Sequence, residues 1–378
     1  MLLSESHSLI RDAMRHFARD RLLPGAAARD AEGRFPAEEL AEMGDLGLLG
    51  MTVPTEWGGS GADTLALALA LEEIAYADAS CATIMSGHNC VGCMPLLHHG
   101  TEEQKKRFLV PMASGQMLSA FALTEPQGGS DNAAMTTRAR KSEQGYVLSG
   151  TKQFITSGST AKIALVFAVT DPDAGKRGIS AFIVPTDSKG WVVSRKESKL
   201  GLRASDTCEI ILDDVAVDQG LLLGKEGEGL KIALGNLEGG RIGIAALALG
   251  IAQAAFDAAF SYARERIAFG KPILEHQAVG FRLAAMATRI ESARQLIHHA
   301  AVLRDAGQPC LKEACMAKLL ASEIAEQVCS DAIQTLGGNG YLTDYQVERL
   351  YRDARVTRIY EGTNDIQHLV IARELARS

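Results

Sequence analysis

Apolar positions follow two different periods along this chain, and the switches between them divide it into three parts. Leu9, Ile10, Ala13, Met14 and Phe17 recur at helical spacing and open a helical part that runs to about residue 118. A turn at Val53-Pro54-Thr55-Glu56-Trp57-Gly58-Gly59-Ser60-Gly61 leads into residues 64–79, which are apolar nearly all round and predict a buried helix. Another helix is predicted to start near Thr101, with Glu102 and Glu103 in its first turn and Gln104 as a capping partner.

The texture changes at about 119. Ala120 to Leu123, Tyr146 to Leu148, Lys162 to Thr170, Ile179 to Pro185, Trp191 to Arg195 and Glu209 to Val217 are short extended runs punctuated by Gly, Pro, Asp and Ser. Strands without intervening helical periodicity predict a small antiparallel β domain, sandwich or barrel. From about 226 the helical period returns. One long segment (229–267), loosened by Gly235 and Gly239-Gly240, is followed by 274–306 and 310–336, and Gly337-Gly338-Asn339-Gly340 ends the third. Long helices with short connections predict a bundle. The order α, β, α argues against a doubly wound nucleotide fold.

Composition narrows the function classes. Hydrophobic residues make up 47% of the 378 positions and charged residues 22%, the balance of an ordinary globular protein of two or three domains. A net charge of −7 argues against nucleic acid or an anionic membrane as main partner. Seven scattered cysteines suggest reduced thiols and a cytoplasmic location. The N-terminus, polar after Met1-Leu2-Leu3, does not read as a signal peptide. No apolar run is expected to reach the ~18 residues of a membrane span. The longest, Ile244 to Ala252, is broken by Gly250 and flanked by Arg241.

Candidate chemistry concentrates in a few segments. Near the C-terminus, Arg358-Ile359-Tyr360-Glu361-Gly362-Thr363-Asn364-Asp365-Ile366-Gln367 sets one acid between an aromatic residue and a turn that opens a helix. A partly desolvated carboxylate there suits a general base; the bland alternative is a surface acid at a helix N-terminus. Phe121-Ala122-Leu123-Thr124-Glu125-Pro126-Gln127-Gly128-Gly129-Ser130-Asp131 empties a strand into a Gly-rich turn whose backbone N–H groups could hold a phosphate or a planar polar edge; alone, it could be a plain β-turn. Gln153-Phe154-Ile155-Thr156-Ser157-Gly158 ends another strand with an aromatic and a hydroxyl. Arg264 to Lys271, with His276-Gln277, closes the long helix in a cationic cluster, and Gln334-Thr335-Leu336-Gly337-Gly338 permits close backbone approach or simply caps a helix. Gly227-Glu228-Gly229 and Gly338-Asn339-Gly340 lack a dinucleotide fingerprint. Cys90-Val91-Gly92-Cys93 near His98 and His99 lacks the second pair of a zinc site and is read as core packing, with no metal site expected.

Together these segments resemble the acyl-CoA dehydrogenases, over nearly the whole chain and leaning to the short-chain and branched-chain members. Leu-Thr-Glu-Pro, Gly-Gly-Ser-Asp, Phe-Ile-Thr, Arg-x-x-Phe-Gly, Gln-x-Leu-Gly-Gly-x-Gly-Tyr and Tyr-Glu-Gly-Thr stand in that family's order and spacing. The resemblance implies an α+β fold: an N-terminal α-helical domain (1–118), a middle antiparallel β domain (119–225) and a C-terminal four-helix-bundle domain (226–378). It implies FAD-dependent α,β-dehydrogenation of an acyl-CoA thioester in a homotetramer, with electrons passed to an electron-transfer flavoprotein. It places Phe121, Leu123, Thr124, Gly129 and Ser130 along the flavin and its pyrophosphate, and Phe154, Ile155 and Thr156 on the other side. The family often has Trp where Phe154 stands. Arg266, Phe269, Gln277, Gln334, Leu336, Gly337 and Gly338 would reach a neighbouring subunit's FAD, and Thr363, Asn364 and Asp365 would touch flavin. Ser130, Glu238, Arg241, Tyr360 and Gly362 match positions near the substrate, and Glu361 matches the catalytic base that removes the pro-R α-proton. Some relatives carry the base on the long helix, where this chain has Gly240 and the nearest acid is Glu238. By the family's layout, the acyl tail would lie against Met85, Asn89, Val91, Met94 and Leu237, which suggests about four to six carbons. An acyl-CoA oxidase or flavin monooxygenase of the same fold, and a catalytically silent binding protein, are the alternatives.

Overall fold

The structure, a computed structural model, describes residues 3–377; Met1, Leu2 and Ser378 lie outside it. The N-terminal part is built from α1 (Glu5–Phe17), α2 (Leu23–Glu32), α3 (Ala37–Asp45), α4 (Thr64–Ala77), α5 (Ala79–Gly87) and α6 (Met94–His99), a π-helical turn (His88–Cys93) joining the last two. Asp63 caps α4, accepting from the Ala66 N–H, and eleven of the fourteen residues of α4 are buried, as its all-round apolar sequence requires. At Thr101 the capping box forms: Gln104 N–H donates to Thr101 Oγ1 at 3.2 Å and Thr101 N–H to Gln104 Oε1 at 3.0 Å. That cap starts α7 (Glu102–Gln104), which continues through a π-helical turn into α8 (Val110–Ala113). The Gln104 amide also donates to the carbonyls of Gly220 and Leu222, both at 2.9 Å, so a helix cap doubles as a tie to the β domain.

The middle part holds β1 (Ser119–Ala122), β2 (Arg138–Ser142), β3 (Gly145–Thr156), β4 (Ile163–Val169), β5 (Ile179–Pro185), β6 (Trp191–Lys196), β7 (Thr207–Asp218) and β8 (Leu222–Leu223). They join in the order β6-β7-β3-β2-β4-β5-β8. The ladders are antiparallel except that β1 and the first residue of β2 pair with β4 in parallel. That parallel pairing is invisible to strand periodicity. β4, Ile-Ala-Leu-Val-Phe-Ala-Val, is buried along its whole length, as expected of a strand covered on both faces.

The C-terminal part contains α9 (Gly229–Glu265), a small hairpin of β9 (Ile267–Ala268) and β10 (Lys271–Pro272), then α10 (Gln277–Asp305), α11 (Leu311–Leu336), α12 (Val347–Ala354) and α13 (Asn364–Leu375). α9, α10, α11 and α13 form the bundle, and α4 packs along α9. The glycines expected to loosen α9 leave it continuous; Gly235 faces open space, while Gly239 and Gly240, like Gly250, admit neighbours. A Cβ on Gly250 would stand 2.2 Å from the Glu72 carbonyl oxygen of α4, so glycine sets how closely the two helices approach. α9 corrects the expectation that no segment could pass for a membrane span: a stretch of it has mean hydropathy 1.7 despite its glycines. With 78% of that stretch buried, α9 is a core helix. All seven cysteines are buried and unpaired.

Candidate active site

Glu361 sits in the short link between α12 and α13, in a left-handed backbone conformation (φ 54°), and Gly362 follows it at φ 86°. Two consecutive residues in that region make a tight turn that a non-glycine residue adopts only under constraint. The constraint is visible. Lys318, fully buried on α11, donates from Nζ to the Gly362 carbonyl at 2.8 Å and to Asn364 Oδ1 at 3.0 Å. Gln367, one turn into α13, donates its amide to the carbonyls of Glu361 (3.2 Å) and Gly362 (2.9 Å). Thr363 caps α13, its hydroxyl accepting from the Ile366 N–H.

The turn drives the Glu361 side chain against α9 at Gly240. A Cβ there would lie 2.8 Å from Oε2 and 3.0 Å from Cδ. Oε2 is buried without a hydrogen-bond partner. Burial pushes the carboxyl up to about 7, against the pull of the Arg241 guanidinium and the Lys318 ammonium. No described residue accepts from the Glu361 backbone N–H. A carboxylate poised near neutrality beside a free backbone donor can take a proton while the donor receives developing negative charge.

The rival acid, Glu238, is already engaged. It accepts from Cys310 Sγ at 3.2 Å and pairs with Arg304 at 3.6 Å. Two residues apart on an α-helix project about 200° apart, so Glu238 leaves α9 on the side away from Gly240. Arg241 is buried with Nε unpartnered, and the Tyr360 hydroxyl is likewise buried without a partner.

The β-domain residues form a second group. The Gly-rich turn after β1 is anchored by Glu125, which is buried and accepts from Lys152 Nζ (2.8 Å), the Thr136 N–H (2.6 Å) and the Thr137 N–H (3.0 Å). Burial alone would raise the Glu125 carboxyl; the Lys152 charge and these hydrogen bonds more than offset it and hold it at about 2. The Gln153 N–H donates to the Thr124 carbonyl at 2.9 Å and lays β3 beside the turn. There β3 breaks register with β7 between Lys152 and Ile155, and Phe154 turns outward at φ 58° and 60% exposed. Bulges re-aim side chains in this way. Thr124 and Thr156 are half-buried, Gly129 and Ser130 exposed, and Leu123 and Ile155 buried beneath them. An outward aromatic face flanked by hydroxyls and an exposed glycine suits a flat polar ligand. The segment 79–99 bridges the two groups: His88 contacts Ser119 Oγ at the start of β1 (3.1 Å), while burial and then the Glu361 charge push the Cys90 thiol up to about 12.

A third group does not join the other two in one chain. Arg266, Phe269 and Gln277 cluster at the far end of α9, with Gln334 to Gly338 at the end of α11. The 26 residues from Gly240 to Arg266 span about 39 Å of helix. Phe269 is held at φ 51° with 96% of its surface exposed; Leu336 is buried, while Gln334, Gly337 and Gly338 are exposed. Within the single chain, these residues serve no common site with Glu361.

A cavity of about 400 Å³ lies elsewhere, between α1, α4, α9 and α10. Most of its charges are paired already, Arg15 with Glu73 and Arg294 with Glu72. Of the expected tail-lining residues, Asn89 is a backbone clamp: Oδ1 accepts from the Met51 N–H, and Nδ2 donates to the carbonyls of Leu48 and Met85. Asn364 likewise turns its oxygen to Lys318 and Ser322. Among the described residues, no group of three His, Cys, Asp or Glu is placed to hold a metal. Sequence reasoning missed Lys318, Gln367, Lys152 and the support that Glu125 gives the turn. A signal existed for two of them: Lys318 interrupts the buried stripe Ala314, Ala317, Ala321, Ala325, and Lys152 falls on the inward face of β3 with Tyr146 and Leu148.

Comparisons with known proteins agree along the whole chain. The families described as acyl-CoA dehydrogenase N-terminal, middle and C-terminal domain match residues 4–116, 120–215 and 227–376. The mitochondrial short-chain specific acyl-CoA dehydrogenase of Homo sapiens is 49% identical over 376 residues, all of this chain and 91% of that one. Butyryl-CoA dehydrogenase from Megasphaera elsdenii superposes with a TM-score of 0.98 at 41% identity, covering both chains completely. A chain from a structure of the electron transferring flavoprotein of Acidaminococcus fermentans does so with a TM-score of 0.98 at 43% identity, again over both chains.

Proposed function

This chain belongs to the acyl-CoA dehydrogenase family of oxidoreductases, and from there we propose that it converts a short straight or branched acyl-CoA into the trans-2-enoyl-CoA with Glu361 as base. The observation that carries this reading is the Glu361 carboxylate, buried, unpartnered at Oε2, pressed over Gly240 and raised to about 7. A base of that proton affinity matches neutral operating conditions. Its Oε2 takes the α-proton. The Glu361 N–H donates to the thioester oxygen as that oxygen gains enolate-like charge, an interaction worth most where water is excluded. Arg241 and Lys318 keep part of the base ionised despite its burial.

FAD, implied by the family, would supply the acceptor for the β-hydrogen, as hydride, when bound. The residues present fit it. Phe154 offers an outward aromatic face, Thr124 and Thr156 offer hydroxyls beside it, and the exposed turn at Gly129 and Ser130 suits a phosphate. Arg266, Phe269, Gln277 and Gln334 to Gly338 would complete the site of a neighbouring subunit in a tetramer. Their distance from Glu361 and the exposure of Phe269 support that arrangement. We take an electron-transfer flavoprotein as the acceptor, supported by the likeness to the Acidaminococcus fermentans chain, and the cytoplasm as the compartment, a setting in which unpaired cysteines persist.

The short-chain preference is supported by the wall at 85–94. Met85, Asn89, Val91 and Met94 are between 0% and 7% exposed, and Asn89 is fixed to backbone, so the wall is packed. Each methylene that finds a pocket adds about 0.8 kcal/mol to binding, and a closed wall withholds that gain. Measuring kcat/KM from butyryl-CoA and isobutyryl-CoA to palmitoyl-CoA with an artificial electron acceptor should give a maximum at four to six carbons. A monotonic rise beyond eight would overturn the short-chain reading. Oxygen consumption without added acceptor would favour the oxidase reading.

A further inference from the structure

The turn that carries Glu361 is supported through its backbone by two buried side chains, Lys318 and Gln367. Glu361 and Gly362 are both left-handed, and Gly362 offers its carbonyl to two buried donors, Lys318 Nζ at 2.8 Å and the Gln367 amide at 2.9 Å. The same Lys318 ammonium also holds Asn364, which Ser322 Oγ meets at 3.1 Å. These contacts join the middle of α11 to the start of α13 across the base turn. Lys318 has no exposed surface, and no described carboxylate lies within ion-pair distance of it. An ammonium buried without a direct counter-ion is costly, and packing alone would favour an apolar side chain there. Burial lowers it to about 8, and the nearby Glu361 charge works against that fall.

We propose that Lys318 is a positioning residue for the dehydrogenation, holding the left-handed base turn and supplying a fixed positive charge next to the Glu361 carboxylate. This rests on the reading of Glu361 as base. The pair divides the labour: Gln367 holds the same turn without charge, so geometry and electrostatics can be separated by substitution. The other groups around the carboxylate are Arg241 from α9, Cys90 from the 79–99 segment and Tyr360 beside it. Arg358 and Cys315 face Lys318. Of these only Arg241 shares with Lys318 the role of lowering the proton affinity of Glu361.

The test is the pH profile of kcat for the FAD-loaded tetramer with butyryl-CoA, in Lys318→Met, Lys318→Arg and Gln367→Leu. Lys318→Met should lower kcat and move the acid limb to higher pH by about one unit, the lower end of the effect of an opposite charge at close range. Gln367→Leu should lower kcat with the acid limb in place. Lys318→Arg keeps the charge in a different shape; it should lower kcat and leave the limb near its wild-type position. A Lys318→Met protein with the wild-type acid limb overturns the electrostatic role. If that variant does not fold, Lys318→Arg decides: an unmoved limb with reduced kcat supports the proposal, and a fully active arginine variant overturns it. Should Glu361 not be the base, Glu361→Gln retains turnover in the same assay, and that failure is separate from this one.

Discussion

Gly240 is where the account makes its sharpest demand on a residue that does no chemistry. Placing alanine there would set a Cβ 2.8 Å from Glu361 Oε2, 3.0 Å from Cδ and 3.3 Å from Oε1. An ordinary carbon–oxygen or carbon–carbon contact is nearer 3.5 Å. The backbone of α9 is locked among α4, α11 and the 79–99 segment, so the carboxylate moves, by somewhat under 1 Å. For folding the substitution is close to neutral: alanine gains up to about 1 kcal/mol of helix propensity over glycine, offsetting part of the local crowding. For catalysis it is not, because a displacement near 1 Å of a reacting group costs on the order of 10²-fold, or about 2.7 kcal/mol in the barrier. Gly240→Ala should therefore retain its Tm within a few degrees and its FAD, while kcat with butyryl-CoA falls roughly 10- to 100-fold. Turnover by dye reduction, with thermal unfolding on the same preparation, checks both halves. A variant with kcat within about threefold of wild type would show that the carboxylate does not work from this contact.

Three further outcomes follow from the same geometry. Lys152→Met leaves Glu125 buried without its cation and should cost about 3–5 kcal/mol of stability, read by denaturant unfolding, with weakened FAD retention because the turn at Gly129 loses its anchor. Arg266→Ala should weaken FAD retention and assembly together, measured by flavin content and sedimentation; a stable monomer with full flavin would refute the shared site. Because the Glu361 pKa is raised in the fold, its ionised form destabilises the fold at alkaline pH. That penalty is absent below the ordinary carboxylate range and complete above about 7, so Glu361→Gln should raise Tm at pH 8 and leave it unchanged near pH 4.

Periodicity carried most of the architecture, since the helices and strands of this chain bury distinct faces. It was enough for α4, α10, α11 and β4, and for the capping box at Thr101. It could not show that β1 and β2 run parallel to β4, because pairing direction leaves no mark on a four-residue strand. Nor could it show β2, whose Arg138-Ala139-Arg140-Lys141-Ser142 is mostly exposed and polar. At the site, the candidate base was legible because Glu361 stands alone in a conspicuous motif. Its supports were not, since Lys318 and Gln367 lie 43 residues before and 6 residues after it and act through backbone carbonyls that any sequence provides. Asn89, expected on the pocket wall, also holds the loop at Leu48 and Met51 through backbone hydrogen bonds that no spacing announces.

The most direct test of the central claim compares Glu361→Gln with Glu238→Gln in single turnover with butyryl-CoA, following flavin reduction. Both changes are nearly isosteric, and both proteins should bind FAD and acyl-CoA. Loss of the base at 361 should slow reduction by at least about 10²–10⁴-fold, while Glu238→Gln, which disturbs only a contact with Cys310 and Arg304, should stay within about tenfold of wild type. A crippled Glu238→Gln beside an active Glu361→Gln would place the base on the long helix and contradict the account.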